Sequence, residues 1–321
     1  MKDTVLSIQN LVCTAKTLWG NETLLDISRL EMGEEEILGL VGESGSGKSI
    51  LAQALLRILP GNVSKTAGKI LFRGVDMDTV SEREMRRAYR GKQIAMIFQD
   101  PMASLNPVFT VYQQIGAVIR EHYRDLSSSK VKEKAIEMLK LVKLSDPEIT
   151  LGKYPHELSG GMRQRVLIAT ALCSGAKFLI SDEATRSLDV TIQAGILKLL
   201  ESLRSELGLS TLFISSNMAL AASVSERIGI LYGGNLVEIG KTEKVLSDPR
   251  HFYTRLFLSC LPTQESKNKP MKVVGDLVAV KDCRGCKFSE ACPEADPECK
   301  KKTPSLVDLG DGHFVSCLRR S

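Results

Sequence analysis

Residues 42–49 read GESGSGKS, a complete G-x-x-x-x-G-K-[ST] string. Gly42, Gly45 and Gly47 free the backbone to curl, so that the N–H groups of the loop, those of Glu43, Ser44 and Ser46 included, point at one centre. A helix starting behind them adds the positive end of its dipole. Lys48 has the reach to contact the β and γ phosphates of a nucleoside triphosphate, and the Ser49 hydroxyl can ligate Mg²⁺. A flexible Gly/Ser turn would account for the glycines but not for the lysine and hydroxyl that follow them. Such a cradle needs a carboxylate to hold the metal, and the run FLISDE at 178–183 supplies one. Asp182 is placed to bind Mg²⁺ through water, and Glu183 is the candidate general base for the attacking water. Taken alone, the two acids could equally be a helix N-cap pair. A second anion site is written into LSGGMRQR, residues 158–165, where Ser159 and the backbone of Gly160 and Gly161 open a helix.

The elements that must carry these groups are legible as periodic runs. EILGLVG before the cradle reads as a buried strand and SILAQALLRIL after it as an apolar-periodic helix. Strands also show in VLSIQNLV, TLLDISRLEM, QIAMIFQ, FLISDE and TLFISS, and RIGILYGGNLVEIG has the form of a hairpin. Helices alternate with several of them, which argues for an α/β fold with a mostly parallel sheet covered on both faces. A helical block at about 105–157 interrupts the alternation and reads as an inserted subdomain. The expected division is a main domain over 1–250 and a separate C-terminal region over 251–321, where the text turns Lys-, Pro- and Cys-rich.

Composition narrows the classes. The 321 residues carry a net charge of +5, too weakly basic to imply nucleic acid without a concentrated patch. No apolar run reaches the ~18 residues of a membrane-spanning helix, and the first residues lack the apolar stretch of a signal peptide, so the chain is expected on the cytosolic side. Of eight cysteines, Cys13, Cys173 and Cys260 lie in apolar sequence, whereas Cys283, Cys286, Cys292, Cys299 and Cys317 crowd the end. In a reducing compartment that cluster suggests a metal centre rather than disulfides.

Several of these strings, in this order, resemble the ATP-binding cassette superfamily: the cradle, the acidic strand and LSGGMRQR, its signature sequence. The resemblance implies a P-loop NTPase (RecA-like) cassette with an antiparallel β subdomain, an inserted helical subdomain and a small cysteine-rich C-terminal extension. It implies ATP and Mg²⁺ as ligands, and a head-to-tail pair of cassettes in which Ser159, Gly160 and Gly161 complete the site of the other. Gln99 in FQDPMASLNP is similar to the family's metal- and water-contacting glutamine, and Trp19, 23 residues before Gly42, stands near where an adenine-stacking aromatic is placed. DPMASLNP and the end GCKFSEACPEADPEC…GHFVSC look like the dipeptide/oligopeptide/nickel importers, in their D-type subunit. For that group, Cys286, Cys292, Cys299 and Cys317 imply a [4Fe–4S] cluster, with structural Zn²⁺ as the alternative and Cys283 as a rival ligand or spare thiol. The implied partners are a second cassette subunit, two membrane permeases docking near 99–125 and an extracytoplasmic substrate-binding protein, with no nucleic acid; the implied location is the cytoplasmic face of the cell membrane. The competing reading is a soluble cassette ATPase serving a redox-sensing Fe–S or Zn tail.

Two stretches depart from that pattern. TLFISSNMAL ends on Ser215, Ser216 and Asn217 where similar cassettes carry Thr, His and Asp. Ser216 in the histidine's place is a shorter, uncharged donor to the γ phosphate. DEATRSLD replaces the usual DEPTSALD, so Ala184 loses a stiffening proline and Arg186 puts a cation in a loop that faces the partner cassette. Together they predict a composite site that binds ATP and turns it over slowly. The alternative is that Ser216 or Asn217 substitutes adequately, or merely caps the next helix.

Overall fold

The computed structural model describes residues 3–99, 104–186, 188–261 and 285–320. Among them, the strands in chain order are β1 (Thr4–Thr17), β2 (Gly20–Gly33), β3 (Ile37–Val41), β4 (Val63–Phe72), β5 (Val75–Asp76), β6 (Ile94–Ile97), β7 (Phe178–Asp182), β8 (Ser210–Ser215), β9 (Arg227–Tyr232), β10 (Asn235–Lys241), β11 (Val307–Asp308) and β12 (Phe314–Val315). The main helices are α1 (Lys48–Leu55), α2 (Val111–His122), α3 (Ser128–Leu141), α4 (Pro147–Gly152), α5 (Gly160–Leu172), α6 (Val190–Leu207), α7 (Met218–Ala222), α8 (Thr242–Ser247) and α9 (Phe252–Ser259).

The chain divides into two compact units, the first of Met1–Gly33, Ile37–Asp78 and Ile214–Ser321 and the second of Glu34–Glu36 and Thr79–Phe213. In the first unit the strand order is β5-β4-β1-β2-β10-β9-β3. β1 and β2 form a long antiparallel hairpin with Leu6 opposite Met32, Ile8 opposite Leu30 and Leu11 opposite Ile27, all buried. β3 runs parallel to β9, and all five of its residues are buried, as befits a strand covered on both faces. In the second unit β6 runs parallel to β7, and α5 packs on β6 and on the helices α2 and α3. Helix ends are capped as the sequence dictates: Thr110 and Gln113 form a reciprocal capping box on α2, and α6 starts on Asp189 and stops at Gly208 with φ 63.

Packing runs across the expected domain limits in two places. The helices foreseen at 105–157 are present, but the compact unit they belong to reaches from Thr79 to Phe213, because α5 and the pair β6–β7 pack with them. The C-terminal region expected from 251 onward packs on the strands before it. It adds β12 to the edge of β10, with Val315 opposite Glu238 and Phe314 opposite Ile239, and its packing places it in the first unit. A buried hydrogen-bonded contact fixes that junction. Glu238, with no exposed surface, accepts from the backbone N–H of Arg250 at 2.8 Å and of His251 at 2.9 Å, and its Oε1 lies 2.7 Å from His313 Nε2.

Candidate active site

The cradle Gly42–Ser49 joins β3 to α1 in the first unit. Gly47, the residue at the helix start, has φ 98, and a Cβ there would stand 2.9 Å from the Leu24 carbonyl oxygen. At Gly42 a Cβ would come to 2.3 Å from the Leu231 carbonyl oxygen. Both positions therefore require glycine, one for conformation and closeness, the other for closeness alone. Behind the loop, the Gly234 N–H of the β9–β10 turn donates to Ser46 O at 3.0 Å. Lys48 is 4% exposed, and its Nζ donates to Gly42 O at 2.8 Å, Glu43 O at 2.7 Å and Ser46 Oγ at 3.3 Å. Carbonyls and a hydroxyl thus hold the lysine head at the centre of the loop, where an anionic phosphate would be bound. Burial raises the Glu43 carboxyl above its ordinary range, against the pull of Lys48.

The acidic strand end lies in the second unit. β7 is buried throughout; Asp182 at its end is 5% and Glu183 8% exposed. Glu183 takes the left-handed conformation, φ 47, and its carbonyl accepts from Arg186 N–H at 3.0 Å, closing a turn. The same turn brings Arg186 Nη1 to 3.2 Å from Glu183 Oε2. Arg186 thus stands over the candidate base of its own chain. Gln99 is exposed just beyond β6. Ser159 caps α5 by accepting from Met162 N–H at 3.3 Å, with Gly160 and Gly161 in the first turn, where a Cβ on Gly161 would come to 3.0 Å from Ile192.

Of the three residues ending β8, Ser215 is buried, and its Oγ accepts from Asn217 N–H at 3.0 Å. Asn217 is the N-cap of α7, its Oδ1 accepting from Leu220 N–H at 3.1 Å, so for this residue the capping role is realised. Ser216 is half-buried between them. Trp19 is 96% exposed at the tip of the β1–β2 hairpin, its N–H bonded to Thr17 Oγ1 at 3.2 Å.

In the first unit Cys286, Cys292, Cys299 and Cys317 line one pocket of about 410 Å³ with His251, Phe252 and Phe288. Burial pushes the Cys286 thiol up to about 11 and raises Cys292 and Cys299, each also feeling the neighbouring sulfurs. Four soft donors converging on one pocket suit a thiolate-bound group. Yet among the described residues no three His, Cys, Asp or Glu side chains are gathered closely enough to share one ion, so the expected ligand set is convergent but not assembled. Cys283 lies outside the described residues. Phe288, fully buried, packs its ring against Tyr232 at 5.2 Å and Tyr253 at 5.6 Å. Tyr232 is pushed up to about 12, chiefly by burial, with Glu43 and Cys286 adding to it. Among the described residues no helix is long and apolar enough to cross a membrane.

Sequence reasoning missed the residues that brace the cradle. Gly234 was signalled by the Gly-Gly pair between β9 and β10; Leu24 and Lys287, whose Nζ donates to Gly233 O at 2.5 Å, carried no signal.

Residues 25–186 match the family described as ABC transporter, and residues 237–299 match the oligopeptide/dipeptide transporter C-terminal region. A probable peptide ABC transporter ATP-binding protein from Sinorhizobium fredii is 42% identical over 288 residues, 88% of this chain and 85% of that protein. The oligopeptide transport ATP-binding protein OppD of Bacillus subtilis is 42% identical over 268 residues, 83% and 74% of the two chains. Among solved structures, the cassette MJ0796, a dimer in a post-hydrolysis state bound to ADP and Pi, superposes with a TM-score of 0.65 at 26% identity, covering 74% of this chain and 98% of that one.

Proposed function

This chain belongs to the ABC transporter family, and from that premise we propose that it is the ATP-hydrolysing subunit of a peptide importer, paired with a second cassette and docked on two membrane permeases. The observation that carries the reading is the union, in one chain, of the phosphate cradle with a C-terminal region matching that of oligopeptide/dipeptide transporters. Lys48 and the loop amides would hold the β and γ phosphates; Ser49, Asp182 and Gln99 are the residues that would hold Mg²⁺, whose chemistry there would be to offset charge on the transferring phosphoryl group. Glu183 takes the proton of the attacking water, and Trp19 stacks on adenine. Ser159, Gly160 and Gly161 cap the γ phosphate held by the partner cassette; that cassettes pair is supported by the dimeric structure of MJ0796, a bacterial ABC transporter cassette. A substrate-binding protein outside the membrane delivers the peptide, and the cassette works from the cytoplasmic face. The test is purification from membranes: two hydrophobic permeases and a second cassette should accompany the chain in stoichiometric amounts, and a chain recovered alone from every membrane extract sinks the proposal.

The finer reading is an asymmetric pair in which this chain's own site is the slow one. It is supported by Ser216 at the end of β8, by Ala184, and by Arg186 lying 3.2 Å from Glu183. In the reconstituted complex Glu183→Gln is expected to lower ATP turnover by less than half, and the equivalent partner substitution by about 10²-fold or more. Equal losses from the two would refute the asymmetry.

Cys286, Cys292, Cys299 and Cys317 are further proposed to hold a [4Fe–4S] cluster, with Zn²⁺ as the alternative occupant; either would supply a covalent tie closing the tail. Elemental analysis of anaerobically purified protein checks this, and a chain with neither four irons nor one zinc would exclude both.

A further inference from the structure

The cysteine-lined tail and the phosphate cradle meet on the same short turn. The β9–β10 connection, Gly233 and Gly234, faces the cradle on one side: the Gly234 N–H donates to Ser46 O at 3.0 Å, and a Cβ on Gly47 would stand 3.4 Å from the Gly234 Cα. On its other side, the adjacent Gly233 carbonyl accepts from Lys287 Nζ at 2.5 Å. Lys287 follows Cys286 directly, and Cys286 N–H donates to Cys299 O at 2.8 Å, so the lysine is mounted on the part of the tail where two of the thiols are joined through the backbone. The next residue, Phe288, is 1% exposed and wedged against Tyr232, the last residue of β9.

From this chain of contacts we infer that Lys287 is a positioning residue for nucleotide binding: it fixes the Gly233–Gly234 turn and thereby the Ser46 carbonyl and the curl of the loop that wraps the phosphates. The inference rests on the ATP-binding reading of the cradle and extends it to a region that touches no nucleotide. Two physical points support it. A glycine pair with φ of 54 and 86 has no side chains to hold its own conformation, so its geometry depends on what its backbone groups bond. A charge-assisted bond from a half-buried ammonium is among the stronger bonds available to such a carbonyl. Because coupling is reciprocal, any change in the tail that moves Lys287 is felt in the cradle, and the reverse.

The experiment uses the full-length chain with Mg²⁺ and a fluorescent N-methylanthraniloyl ATP in equilibrium titrations. Lys287→Met is expected to weaken binding about 3- to 10-fold, and Lys287→Arg, which retains a donor, to stay within about twofold of the natural chain. Lys48→Ala separates the two levels of the argument. If the natural chain binds, Lys48→Ala does not and Lys287→Met matches the natural chain, the tie is refuted and the ATP site stands; if the natural chain itself fails to bind, the ATP reading falls. Amide hydrogen exchange supplies a readout that does not depend on turnover. In Lys287→Met, exchange should quicken in 232–236 and 43–49 while 299–316 keeps its protection. An increase spread over the whole tail would show that Lys287 only anchors the tail and would overturn the inference.

Discussion

The cradle Gly42–Ser49 and the turn that carries Glu183, both assigned above to the proposed reaction, are held by different kinds of contact. The cradle is held from several directions: Lys48 bonds three oxygens of the loop itself, Gly234 bonds Ser46, and the carbonyls of Leu24 and Leu231 close on glycines that admit no Cβ. The Glu183 turn has Arg186 N–H on the Glu183 carbonyl and Gln193 Nε2 on the Thr185 carbonyl at 2.8 Å, and places Arg186 against the carboxylate. The loop is tied chiefly through backbone groups, whereas the Glu183 side chain meets a cation from its own turn. The difference teaches that, on the proposed reading, the grip on ATP and the timing of its hydrolysis rest on separate contacts and can be altered one at a time.

The sharpest way to break this contrast is at the cradle. Lys48→Ala should lower the ATP turnover contributed by this chain's site by about 10²-fold or more, because the removed charge faces the phosphates where negative charge builds up. Steady-state phosphate release from the reconstituted complex, with the partner's site silenced, measures it. A loss of less than about threefold would mean that the loop amides alone hold the phosphates and that the cradle is not the dominant site.

The junction between the tail and β10 can be tested through acid. His251, 2% exposed on the tail side of β10, accepts from Tyr253 N–H through Nδ1 at 3.1 Å, and burial holds its pKa at about 4 rather than 6.5. The folded value is the depressed one, so between pH 6.5 and about 4 the unfolded chain binds a proton that the native chain refuses. Stability from this ring is therefore intact above 6.5, falls as the pH drops through that window and levels off below it, by on the order of 2–3 kcal/mol in all. His251→Asn keeps an acceptor for the Tyr253 N–H and removes the titration. Urea midpoints at pH 7, 5.5 and 4.5 should fall less steeply for the variant, and parallel curves would show that His251 is not the responsive group.

How much of this was legible follows the reach of each contact. The cradle, the acidic strand end and the cap at Ser159 are local: each occupies eight residues or fewer at the end of a strand or the start of a helix, so periodicity and motif locate them. The attachment of the tail is not local. Val315 meets Glu238, His313 meets the same carboxylate and Lys287 meets Gly233 across long stretches of chain, and a two-residue strand such as β12 has no periodicity to betray it. A boundary at 250 follows a change in composition, and the pairing across it could not be read from that change. The Asn217 cap was open in the sequence as one of two roles; only the Leu220 N–H at 3.1 Å decides for it. Arg186 was visible as an odd cation, but its target required the left-handed turn at Glu183 to be known.

That target gives the smallest and most discriminating effect. Arg186 is 55% exposed, so water and salt screen its hold on Glu183, and a pair of this kind is worth no more than about 1 kcal/mol. Arg186→Ser should accordingly raise turnover at this chain's site by about two- to fivefold, through a carboxylate freed to accept the water's proton, with little change in nucleotide affinity. Salt distinguishes this from a general loosening. Raising ionic strength from about 0.05 to 0.5 M shortens the Debye length to a few ångströms, so the natural chain should gain part of the variant's rate while Arg186→Ser shows no such gain. Turnover that is unchanged or lower in the variant, or a salt response that survives the substitution, would place the brake elsewhere and leave Ser216 as the residue that separates the two halves of the site.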